Sequence, residues 1–161
     1  MIDTAWVDKK ILDGMTLESN CWFPKETGGI LMGYRAKNNV VITDLIGPGP
    51  NATHRRHSFA PDARWQENEI GRIYEQSGRV HTYLGDWHSH PYGDQHLSIK
   101  DLITLFRVAA HKPARAPRPI MGLLHNNQQW ELTVWRFAYS RIVSGAPSEV
   151  MKVVWFDSRI D

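Results

Sequence analysis

The passage Gly85–Asp101, GDWHSHPYGDQHLSIKD, constrains this chain most, because it crowds two imidazoles, hydroxyls and a carboxylate into one strand, loop and helix start. If YLGDW continues as a strand, its two-residue period puts His88 and His90 on one face and turns Ser89 to the other. Pro91 and the polar YGDQ segment then form a loop. Ser98 opens the apolar helix IKDLITLFRVAA, which sets Asp101 in the first turn and lets a carboxylate return to the two rings. Two neutral nitrogens and one carboxylate suit Zn²⁺, and three protein ligands leave a fourth tetrahedral position for water, as in catalytic sites. Such a metal lowers the pKa of its water from 15.7 to about 7 and polarises a carbonyl, provided a base comes from elsewhere in the chain.

With 161 residues, 42% of them apolar, the chain is expected to form a single domain over 1–161. A formal charge of +2 gives no electrostatic case for a nucleic-acid or membrane partner. The one cysteine, Cys21, excludes an internal disulfide and a Cys-rich zinc site, and it fits a reducing, cytoplasmic location. The N-terminus carries acidic residues and no signal-peptide core, and no apolar run approaches the ~20 residues that span a bilayer.

In chain order, Thr4 to Val7 suits a short strand, and Ile11, Leu12, Met15 and Leu17 have roughly helical spacing up to Phe23-Pro24. Glu26 follows, just before TGGILMGY, where Gly28 and Gly29 suit a turn or a close backbone approach into a buried strand. VVITDLIG pairs with it as a hairpin. A brief strand is expected around His57 and Phe59, then a second helix over DARWQENEIGRIYEQSG with Trp65, Ile70, Ile73 and Tyr74 as its apolar stripe. After the strand HTYLGDWHS and the helix from Ser98, the prolines of HKPARAPRP predict a loop. IMGLLH and WELTVWRF form a second hairpin, and VMKVVWFD, after the turn-rich SGAPS, is the last strand. The sum is an α/β domain with one mixed, mainly antiparallel sheet flanked by about three helices.

Ordinary explanations compete with each piece. Ser98-x-x-Asp101 matches a helix capping box, and isolated histidines are common. Asp86 and Trp87 read as a strand-end aspartate and a core tryptophan, with support of the ligands as the alternative. His96 reads as an exposed loop histidine, with reach to the metal or substrate as the alternative. His54, Arg55, Arg56 and His57, like Arg115 and Arg118 in HKPARAPRP, read as solvated loops, with an acidic partner surface as the alternative. Cys21 is a small residue near a helix end, without a Cys/His pair for nucleophilic catalysis.

The joint pattern is more specific. His88-Ser89-His90-Pro91 followed by Ser98 and Asp101 reads H-S-H-P-x6-S-x2-D, and with Glu26-Thr27-Gly28-Gly29 it resembles the JAMM signature of the JAB1/MPN/Mov34 metalloproteases. ETGGILMGY, FAPD and YLGDWHSHP resemble the prokaryotic JAB branch, which includes ubiquitin-like deconjugating peptidases of bacterial CBASS antiphage systems. The resemblance implies a JAB1/MPN, cytidine-deaminase-like fold in which His88, His90 and Asp101 bind one Zn²⁺. It further implies that Glu26 is the general acid/base and that Ser98 hydrogen-bonds the developing oxyanion.

The function expected is therefore a zinc metallopeptidase that cuts an amide or isopeptide bond after the C-terminal tail of a ubiquitin-like or conjugated protein, in antiphage defence. Three alternatives stand beside it. One is a peptidase that processes a sulfur-carrier-like protein. A zinc deaminase would need H-x-E with P-C-x-x-C, which one cysteine cannot supply. A non-catalytic MPN-type scaffold would be expected to lack one of the five positions, and all five are present.

Overall fold

In the computed structural model, which describes residues 3–138 and 147–160, β1 (Thr4–Asp8) turns directly into α1 (Lys9–Trp22). Asp8 makes that turn possible: its backbone is extended, and its carboxylate accepts the Lys10 N–H at 3.2 Å, satisfying one of the donors a helix start leaves open. Ile11, Met15 and Ser19 recur at four-residue steps and form the buried stripe of α1. Leu17, expected on that stripe, lies off it and is exposed. The Phe23 N–H closes the helix on the Ser19 carbonyl.

The first hairpin is β2 (Gly28–Ala36) with β3 (Asn39–Ile46). The brief strand expected near His57 is instead a separate two-stranded ribbon of β4 (Thr53–His54) and β5 (Phe59–Ala60), with His57 in its turn. Then come α2 (Ala63–Gln76), β6 (Thr82–His90) and α3 (Ile99–Ala110), followed by the second hairpin of β7 (Ile120–Asn127) and β8 (Gln129–Phe137). HKPARAPRP is less irregular than expected, because Lys112–Ala114 makes one 3-10 turn, with Pro113 near its start where a missing N–H costs nothing. The expected last strand is two, β9 (Ser148–Val150) and β10 (Lys152–Phe156). Most of the SGAPS turn lies outside the described residues.

Among the described residues the main sheet has eight strands in the order β10-β1-β3-β2-β6-β7-β8-β9. Antiparallel pairing holds for β2–β3, β2–β6, β7–β8 and β8–β9, and parallel pairing for the other three. The two end strands of that order are consecutive in the chain, joined only by Met151. The sheet must therefore curl until its edges meet: Met151 donates its N–H to Val134 of β8 at 2.8 Å, and Lys152 donates to Asp3 beside β1 at 3.2 Å. One cluster inside the curl joins Ile11 and Met15 of α1 to Val7, Leu31, Leu84, Trp87, Leu124, Val134 and Met151. On the other face, Ile73 of α2 packs on Ile30 and Met32, and Leu105 of α3 packs near Met121 and Phe137.

Pairing between β2 and β6 sets the functional face. Gly28 lies opposite His88 and Gly29 opposite Trp87. A Cβ at Gly28 would come within 2.3 Å of the Trp87 carbonyl oxygen, so β2 reaches this close only without a side chain. One step further, Ser89 donates its N–H to the Thr27 carbonyl at 2.8 Å, and its Oγ accepts the Thr27 N–H at 3.0 Å. Both residues are fully buried. Ser89 points away from the histidines, as the strand period predicts, and ties the Glu26 segment to the histidine strand.

Ser89→Ala leaves the Thr27 N–H buried without that partner and should cost about 1–3 kcal/mol, read as a lower denaturant midpoint. Asp8→Ala should cost about 1–2 kcal/mol through the lost cap. Burial alone would raise the Asp8 carboxyl, but the Ser158 hydroxyl, the Lys10 N–H and the Lys10 ammonium hold it below its usual range. Its contribution is thus complete above the ordinary carboxylate range and disappears as pH falls through the lowered value, so the gap between wild type and Asp8→Ala should narrow on acidification.

Candidate functional site

β6 ends at His90, and its alternation sets Asp86, His88 and His90 on the face covered by α2 and α3. The Nε2 atoms of His88 and His90 lie 3.0 Å apart. Asp101 closes the group, with Oδ1 at 3.2 Å from His88 Nε2 and Oδ2 at 3.6 Å from His90 Nε2. Two ligand atoms on one tetrahedral Zn²⁺ stand roughly 3.3 Å apart, given bonds of about 2.0–2.2 Å, so this spacing fits a shared ion. The donor chemistry fits as well. His90 Nδ1 lies 2.9 Å from the Asp94 carbonyl, which can only accept, so the hydrogen sits on Nδ1 and Nε2 keeps its lone pair. Burial, then the neighbouring His88, lowers the pKa of His90 and so favours its neutral form. Among the described residues, His88, His90 and Asp101 are the group whose ligand atoms lie within 4.8 Å of one another.

Asp101 is placed by the capping box at the start of α3. Its Oδ2 accepts the Ser98 N–H at 2.8 Å while Ser98 Oγ accepts the Asp101 N–H at 3.1 Å. Burial alone would raise the Asp101 carboxyl, but the hydrogen bond and charge of His88, followed by the bonds from Ser98, bring it down to about 2. It is a carboxylate at any physiological pH. Ser98 Oγ accepts in the cap and its hydroxyl also bonds the Asp101 carboxylate, so the same side chain serves the helix start and faces the ligand group. Capping and donation into the site are compatible.

A cleft of about 590 Å³ joins these residues to Glu26, which lies two residues before β2. Burial raises the Glu26 carboxyl above its usual range, opposed by the charge of His88 and reinforced by that of Asp101. All five residues singled out in the sequence therefore line one cavity. Arg56, His57, Phe59 and Tyr92 line it too, from the ribbon turn and the loop after His90. Arg56 donates from Nε and Nη2 to the Tyr92 hydroxyl at 3.2 and 2.8 Å. Only the fold brings these two segments together.

Several ordinary readings hold. Trp87 is a core residue and donates its indole N–H to the Ile46 carbonyl at 3.1 Å. His96 is an exposed loop residue beside Asp94, Cys21 is exposed in the last turn of α1, and Arg115 and Arg118 are exposed. Two readings need correction. Asp86 is no strand-end residue, because β6 runs on to His90. It faces the cleft floor, accepts the Tyr83 hydroxyl at 2.9 Å and has its pKa raised by burial. His54, read as part of a solvated basic loop, is buried, whereas Arg55, Arg56 and His57 beside it are exposed.

Residues 8–138 match the family of prokaryotic homologs of the JAB domain. The chain is 41% identical over 133 residues to a probable metalloprotease, y4qB, of Sinorhizobium fredii, covering 81% of each protein. It is 31% identical over 77 residues to a CD-NTase/cGAS isopeptidase of Escherichia coli, a match that spans 48% of this chain and 49% of that protein. The solution structure of protein DSY2949 from Desulfitobacterium hafniense superposes with a TM-score of 0.72 at 16% identity, covering 96% of this chain and 94% of that one, and so shares the fold. The chain belongs to the prokaryotic homologs of the JAB domain and is a JAB-type peptidase.

Proposed function

We propose that the chain is a zinc peptidase that hydrolyses an amide or isopeptide bond after the C-terminal tail of a ubiquitin-like or otherwise conjugated protein. The observation that carries this reading is the convergence of His88, His90 and Asp101 in the cleft that also holds Glu26. His88 Nε2, His90 Nε2 and an Asp101 oxygen would hold one Zn²⁺. When bound, it supplies a Lewis acid for the scissile carbonyl and lowers the pKa of water from 15.7 to about 7.

The protein's own groups do the rest. Glu26 takes the proton of the attacking water and hands it to the leaving amine nitrogen, a dual role that its raised pKa favours. Ser98 turns its hydroxyl hydrogen to the oxygen that gains negative charge. Among the described residues β5 pairs only with β4, and its Phe59 lines the cleft, so its other edge offers main-chain groups to an extended tail.

The similarity to a CD-NTase/cGAS isopeptidase supports a protein conjugated through its C-terminus as the substrate class. On this reading the reaction removes such a conjugate in the cytoplasm, as part of antiphage defence.

Glu26→Gln should keep one zinc per chain by elemental analysis while kcat falls roughly 10²–10⁴-fold on a Gly-Gly peptide amide. His88→Ala and Asp101→Ala should lose the metal. Ser98→Ala should keep it and lose on the order of 10²–10³ in kcat, with unfolding followed in parallel because the cap is lost too. Chelation should abolish cleavage and Zn²⁺ restore it. Turnover by metal-free protein would overturn this reading.

A further inference from the structure

Glu26 stands outside the regular part of β2, so its placement depends on whatever holds its main chain. Its N–H donates to the Arg55 carbonyl at 2.8 Å, and its carbonyl lies 3.0 Å from His54 Nδ1. A carbonyl only accepts, so Nδ1 carries the hydrogen. His54 is 8% exposed. Its ring stacks on Trp22 with centroids 3.5 Å apart and planes 11° from parallel, and tilts against Phe59 at 5.5 Å. Trp22 ends α1, and Phe59 opens β5 and lines the cleft. One imidazole thus joins a helix end, the ribbon and the residue bearing the cleft carboxylate.

We infer that His54 is a positioning residue for Glu26: clamped between Trp22 and Phe59, it grips the Glu26 carbonyl and so fixes where that carboxylate stands relative to His88 and Asp101. This rests on the acid/base role proposed for Glu26. The Thr27–Ser89 bonds hold the N–H side of the Glu26–Thr27 peptide to β6, and His54 holds the carbonyl side of that same planar unit from the opposite direction. Arg55 holds the Glu26 N–H. A ring is needed for the stack and a donor for the carbonyl, and histidine supplies both where phenylalanine would leave the carbonyl unpaired. Misplacing a reacting group by about 1 Å can cost on the order of 100-fold in rate, so the grip is worth more to turnover than to stability.

The test compares His54→Phe, which keeps the stack, with His54→Asn, whose amide nitrogen can stand where Nδ1 stood. His54→Gln, with its donor one bond farther out, serves if the phenylalanine variant fails to fold. On a Gly-Gly peptide amide, His54→Phe and His54→Gln should lose roughly 10- to 100-fold in kcat with zinc content and KM near wild type, and His54→Asn should recover much of that loss. In a Glu26→Gln background the His54 substitution should cost nothing further in kcat. Hydrogen exchange in metal-free protein gives a readout independent of turnover: the Glu26 and Thr27 amides should exchange at least about tenfold faster in His54→Phe and His54→Gln, but not in His54→Asn. Equal kcat and equal exchange across all variants would overturn the inference. If wild-type protein shows no zinc-dependent cleavage, the peptidase reading fails, and the exchange data still decide whether His54 holds Glu26.

Discussion

The site depends on the close approach of β2 to β6. Gly28 opposite His88 and the two hydrogen bonds between Thr27 and Ser89 bring a carboxylate from just before one strand to the imidazoles of another, across about sixty residues of sequence. No side chain fits at Gly28, and no smaller partner than a hydroxyl both donates and accepts at position 89. The buried half of the signature is therefore mechanical and its exposed half chemical. Ser89 lies in the dry core so that His88 and His90 can face the cleft.

A second economy appears at α3. The carboxylate that caps the helix by accepting the Ser98 N–H also points an oxygen at His88. Fixing the helix start and fixing the third ligand are one event, which leaves little rotamer freedom to lose on binding an ion. The low pKa of Asp101 has the same origin, since the neighbours that orient the carboxylate also favour its charged form.

Much of this was legible in the sequence because the informative residues are close together. His88 to Asp101 span one strand, one loop and one helix turn, where local periodicity suffices, and Glu26 came only with the resemblance that Glu26-Thr27-Gly28-Gly29 carries. The hairpins and helices followed from alternation and from Pro and Gly punctuation. What escaped was long-range. Nothing local tells that His54 is stacked on Trp22, thirty-two residues earlier, instead of sharing the exposure of Arg55 and Arg56. Asp86, read as a strand-end aspartate, sits in mid-strand because β6 stays paired with β2 and β7 beyond it. The split at Met151 is equally invisible, since VMKVVWFD has the pattern of one strand and only the curl of the sheet requires two.

That curl has a consequence for how the molecule is made. β1 leaves the ribosome long before its parallel partner β10, and they pair residue for residue from Thr4–Lys152 to Asp8–Phe156. Until those residues emerge, the sheet is an open ribbon with two unpaired edges and α1 has no closed core to sit in. Contacts this distant close slowly, so a nascent chain carries sticky edges until β10 arrives. The seam at Met151 is where that vulnerable interval ends.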